Sequence, residues 1–128
     1  MEVLKDDKVK YINLDYLNHR TKSNPKLMIE MIGLYLEQTP ELINTLKQSL
    51  LDQDWNLLNA AIHKMIPSFS SMGISTDFEN MAKKVQEFAN TQQEEEDINE
   101  MVIQLEKVLN QSCSELEEEL NRIKNIKS

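Results

Sequence analysis

Apolar side chains return every three or four positions along most of this chain, and that period favours helices over any other element. Leu27, Met28, Met31, Ile32 and Tyr35 form one stripe, and Leu42, Ile43, Leu46 and Leu50 the next. Trp55, Leu58, Ile62, Met65, Phe69 and Met72 form a third; Phe78, Met81, Val85 and Phe88 form a fourth. The last and longest runs through Ile98, Met101, Val102, Leu105, Val108, Leu109, Leu116, Leu120 and Ile123. Residues so spaced line one side of an α-helix, and that side needs another apolar face to cover it. No alternating, strand-like pattern competes. Two glycines and three prolines in 128 residues are too few for a turn-rich β fold. The expected fold is all-α: an antiparallel, up-down four-helix bundle with a short additional N-terminal helix around Leu14 to Asn18.

Punctuation supports this division. Asn24-Pro25 and Thr39-Pro40 each place a capping side chain before a proline at the first helical position. Ser75, with Asp77 and Glu79 soon after, suits the start of another helix. Thr91-Gln92-Gln93-Glu94 has the pattern of a capping box, with the helix opening there or a few residues later. Connections of two to eight residues fit antiparallel neighbours. Residues 1–10 are expected to be a flexible N-terminal segment and 11–126 the bundle domain.

Charge narrows the function. Twenty-two acidic against 14 basic residues leave a net charge of −8, which repels nucleic acid and anionic membranes. No apolar run approaches the length of a membrane span, so no membrane insertion is expected. The first ten residues lack the apolar stretch of a signal peptide. One cysteine, Cys113, permits no internal disulfide and fits a reducing compartment. A cytoplasmic monomer is the expectation. The acid-rich stretches Gln92 to Glu100 and Glu115 to Glu119 read as solvated faces, Cys113 as an inert core residue, Trp55 as core, and His19 as a solvated loop residue.

His63 stands apart. At about 100° per residue the Trp55–Met72 stripe occupies roughly a third of the helix circumference, and His63 points about a quarter turn away from Ile62. Along its own line come Asn56, Asn59, Ile66 or Pro67, and Ser70. None is charged, which is unusual for the surface of an acidic protein. Two histidines without an HxxxH or HExxH pair give no metal site of ordinary ligand count. A Ser–His nucleophilic pair, for instance Ser70 with His63 as general base, stays open, although no strained nucleophile turn or glycine-rich phosphate loop accompanies it.

The segment Ala60-Ala61-Ile62-His63-Lys64-Met65-Ile66-Pro67-Ser68-Phe69-Ser70-Ser71-Met72-Gly73 resembles the signature of histidine-containing phosphotransfer (HPt) domains. That family carries a helical histidine, commonly lysine and glycine three and four residues on, small residues after that, and glycine ten residues on. Asp52-Gln53-Asp54-Trp55-Asn56-Leu57-Leu58, Leu14-Asp15-Tyr16-Leu17 and Leu34-Tyr35-Leu36-Glu37-Gln38-Thr39-Pro40-Glu41-Leu42 are similar to further family segments. The resemblance spans about residues 11 to 123. This sequence departs from it at Ile66, in place of the lysine, and at Pro67, in place of the glycine. Pro67 has no N–H for the carbonyl of His63, which predicts a kink at a cost of about 3 kcal/mol in a helix interior.

The resemblance implies a phosphorelay intermediate. His63 would accept a phosphoryl group from the aspartate of a response-regulator receiver domain and pass it to another receiver aspartate. Asn59, Lys64, Ile66, Pro67 and Ser70 would form the binding face. The partners implied are receiver domains and a hybrid sensor histidine kinase. The Mg²⁺ belongs to the receiver, so the chain itself needs no cofactor and no independent turnover. The competing reading is a pseudo-HPt: a non-catalytic helical adaptor that binds receivers without phosphotransfer.

Overall fold

The computed structural model describes residues 11–91 and 98–127. The expected flexible segment, residues 1–10, lies outside them, as does most of the capping-box pattern that begins at Thr91. Among the described residues there are five helices: α1 (Asp15–Thr21), α2 (Pro25–Asp52), α3 (Trp55–Ser71), α4 (Thr76–Thr91) and α5 (Ile98–Lys127). Thr91 therefore ends α4 instead of opening a helix, and His19 sits exposed on α1 instead of in a loop.

Short polar side chains set three of the starts. Asn24 Oδ1 accepts from the backbone N–H of Lys26 at 2.9 Å and of Leu27 at 3.3 Å, with Pro25 in the first helical position. Asp54 accepts from Leu57 N–H at 3.2 Å, and Ser75 Oγ from Asp77 N–H at 3.1 Å. Each satisfies a backbone donor that the first turn leaves without a partner.

Thr39-Pro40 does not start a helix. α2 runs through Pro40 for 28 residues. Met28, Ile32, Tyr35, Thr39, Ile43, Leu46 and Ser49 are all buried and keep one unbroken phase across the proline. Thr39 Oγ1 donates to the Tyr35 carbonyl at 2.6 Å, so the threonine bonds backward within the helix and caps nothing. Burying seven residues in one register outweighs the roughly 3 kcal/mol that an interior proline costs.

α2 packs against α5 and α3, and α4 against α3 and α5, closing a four-helix square that α1 covers at one end against α2 and α3. Ile32, Leu46, Leu58, Ile62, Met65, Phe69, Val85, Leu105, Leu109 and Leu116 fill the interior with almost no exposed area. Trp55 is half-buried and meets Phe88 edge-to-face at 5.0 Å between ring centres. None of the described helices is long and apolar enough to cross a membrane.

Glu115 corrects the expectation of a solvated acidic face. It is buried, and its carboxylate accepts from the backbone N–H of Tyr11 at 2.9 Å and Ile12 at 3.0 Å, and from Gln111 Nε2 at 3.1 Å. It thereby binds the chain ahead of α1 to the middle of α5. The same segment crosses the α3–α4 turn, where Asn13 N–H donates to the Met72 carbonyl at 2.9 Å. Gly73 is required there: its φ is +70°, and a Cβ would lie 2.0 Å from the Asn13 carbonyl oxygen.

Candidate functional site

The buried residues of α3 (Leu58, Ala61, Ile62, Met65 and Phe69) turn one side of the helix to the core, leaving His63 exposed. Two side-chain bonds fix how this flank meets α4. Asn59 Nδ2 donates to Asn90 Oδ1 at 2.8 Å, and the Gln86 amide lies 3.4 Å from Nδ1 of His63. Four residues forward on α3 match four backward on α4, as antiparallel neighbours require. Asn59 Oδ1, one turn before the histidine, is buried and accepts no hydrogen bond from the protein.

The residues expected to share the site do not all share a side. Asn59, His63, Ile66 and Ser70 fall within about 60° of one another on the edge facing α4, with Ile66 half-buried against the core and Ser70 exposed. Pro67 is exposed on the outermost line, and α3 continues as a helix beyond it to Ser71. Lys64 lies on the opposite flank, where with Gln38, Thr45, Leu57 and Ser68 it lines a groove of about 300 Å³ between α2 and α3. Consecutive positions on a helix diverge by about 100°, which separates this ammonium from the imidazole.

Gln86 is the residue that reasoning from sequence missed. A signal existed: Glu79, Lys83, Gln86 and Asn90 are polar and spaced four, three and four apart, a second line on α4 beside its apolar stripe. Nothing local couples that line to His63.

The arrangement can present a nucleophilic nitrogen to a large partner. Gln86 engages Nδ1 of this exposed residue, which leaves Nε2 as the ring nitrogen that Gln86 does not contact. Ser70 lies seven residues from His63, about 10 Å along the axis, so no Ser–His nucleophilic pair forms. Burial pushes the Cys113 thiol up, away from the thiolate that nucleophilic attack needs. Among the described residues, no group of three His, Cys, Asp or Glu side chains could hold a metal ion. Three cavities among the described residues, of about 450, 300 and 490 Å³, are lined by residues other than His63. The imidazole thus sits on an open face.

Compared with known protein families, the chain matches the family model of the Hpt domain over residues 30–126. Neither the curated proteins nor the solved structures gave a match.

Proposed function

The chain belongs to the Hpt domain family, whose members carry phosphoryl groups on histidine in two-component signalling, and from that premise we propose that His63 is the phospho-acceptor of a relay between receiver domains. The observation that carries this reading is the hydrogen bond between His63 Nδ1 and Gln86 on an otherwise open face.

In the arrangement described, the Gln86 amide nitrogen faces Nδ1, so the neutral ring holds its proton on Nε2, and that tautomer cannot attack. Rotating the amide by half a turn brings Gln86 Oε1 to the same place, where it accepts from Nδ1–H. The Nε2 lone pair is then free. It attacks the phosphorus of an aspartyl phosphate on the receiver; the N–P bond forms, and the P–O bond to the aspartate breaks with its electron pair left on the carboxylate. The ring keeps Nδ1–H and gains positive charge, which the Gln86 carbonyl stabilises. The reverse of these steps hands the group to a second receiver. Phosphoryl transfer relies mainly on positioning and charge neutralisation; here Mg²⁺ belongs to the receiver, and this chain contributes the nucleophile and the docking face. Asn59, Ile66, Pro67 and Ser70 form the uncharged centre of that face, suited to a small interface that releases its partners.

The test is transfer of label from a phosphorylated receiver domain, with Mg²⁺, to the wild type and to His63→Gln. Acid-labile, base-stable label on the wild type alone supports the relay. Ile66 and Pro67 favour a second reading, receiver binding without transfer. Stable complexes with receivers but no label on either protein would establish it.

A further inference from the structure

A phosphoryl dianion on His63 needs a counter-charge, and α3 supplies none on that flank. The basic residues of α3 and α4 are His63, Lys64, Lys83 and Lys84. Lys64 lines the groove toward α2, and Lys84, with Glu100 and Gln104, lines the hollow between α4 and α5. Lys83 differs. The Asn59–Asn90 and His63–Gln86 pairs set the register of the two helices; three residues forward from His63 to Ile66 correspond to three backward from Gln86 to Lys83. Lys83 therefore joins the polar line of α4 one turn from Gln86, level with Ile66. Its side chain is 56% exposed, and its ammonium lies 3.2 Å from Glu79 Oε2, one turn farther along α4. Glu79 on this line and Glu87 beside it make the α4 edge repulsive to an anion without the lysine.

Taking His63 as the phospho-acceptor, we infer that Lys83 of α4 neutralises the phosphoryl group, reaching it across the helix boundary from its resting ion pair with Glu79. Glu79 is only 19% exposed, but its cation is largely in solvent, and a pair with one anion that water reaches is weak and readily exchanged. A phosphoryl group offers about two negative charges and three acceptor oxygens, and so competes well for the flexible ammonium. The cation is thus released by Glu79 when His63 is loaded and returns to it when the group leaves.

The test measures the equilibrium between a phosphorylated receiver and this chain, using wild type, Lys83→Gln, Lys83→Arg and Glu79→Gln. Lys83→Gln should lower the equilibrium constant for loading by about two- to fivefold, and Lys83→Arg should restore it. Glu79→Gln, which removes the competing anion, should raise it. ³¹P titration of the loaded proteins gives a second readout: the phosphoryl dianion should take up a proton, becoming a monoanion, at higher pH in Lys83→Gln than in the wild type. Equal loading and equal titration in Lys83→Gln and wild type overturn the role of Lys83 while leaving the relay intact. A wild type that takes no label, or a His63→Gln variant that keeps it, instead overturns the assignment of His63 on which this inference rests.

Discussion

Gln86 of α4 reaches Nδ1 of His63 at 3.4 Å, joining residues 23 positions apart across the boundary of two helices. Which way the Gln86 amide turns decides which ring nitrogen holds the proton. If Gln86 acts as an acceptor for Nδ1–H, then Gln86→Leu should slow phosphoryl transfer about fivefold, the equivalent of one ordinary hydrogen bond. Gln86→Glu, which can only accept, should retain transfer better than the leucine variant. Imidazole ¹⁵N spectra should show the Nδ1–H tautomer depleted in Gln86→Leu.

The bond between Glu115 and the segment ahead of α1 gives a stability prediction. Glu115→Leu leaves the N–H groups of Tyr11 and Ile12 and the amide of Gln111 without their acceptor. A loss of about 2–3 kcal/mol in urea denaturation is expected, with faster hydrogen exchange at Tyr11 and Ile12. Gly73→Ala should weaken the same crossing, because the new Cβ would meet the Asn13 carbonyl.

Tyr35 makes alkaline stability a probe of the core. Its hydroxyl is buried 2.9 Å from Ser112 Oγ, and burial pushes its pKa up to about 12. The unfolded chain releases this proton near pH 10 and the folded chain near 12, so unfolding becomes progressively more favourable between those values. The stability contributed by Tyr35 is fully present below pH 10 and is lost by about pH 12, a fall on the order of 2 kcal/mol. Denaturation midpoints of Tyr35→Phe across the same range should lack this component, while groups common to both proteins cancel in the difference.

Pro67 gives a further prediction. It is exposed, and α3 passes through it without ending. Pro67→Ala restores an N–H to face the His63 carbonyl and removes no core contact. Stability should rise by about 2 kcal/mol, the interior-proline cost less the smaller entropy benefit of proline in the unfolded chain. A decrease in the urea midpoint would contradict this.

These residues also mark what the sequence made legible. Periodicity marked the core: Leu58, Ile62, Met65 and Phe69 are all buried, and His63 leaves them on the solvent side. Asn24 and Ser75 were readable as caps because capping is a local interaction. Thr39-Pro40 misled because its local signal, a cap before a proline, is identical whether a helix starts there or passes through; the continuous phase of burial on both sides decides it. Glu115 was illegible among neighbouring glutamates because its partners, Tyr11 and Ile12, stand more than 100 residues away. Gln86 escaped for the same reason. Lys64, expected on the binding face, instead lines a groove that α2 makes, one helix position and about 100° away from His63.

The position of the phosphoryl group on the ring tests the assignment of His63. The chain, labelled with ¹⁵N in its imidazoles and loaded from a phosphorylated receiver, should show phosphorus coupling at Nε2 of His63, with Nδ1 protonated. Coupling at Nδ1, or phosphate on any residue other than His63, would contradict the account.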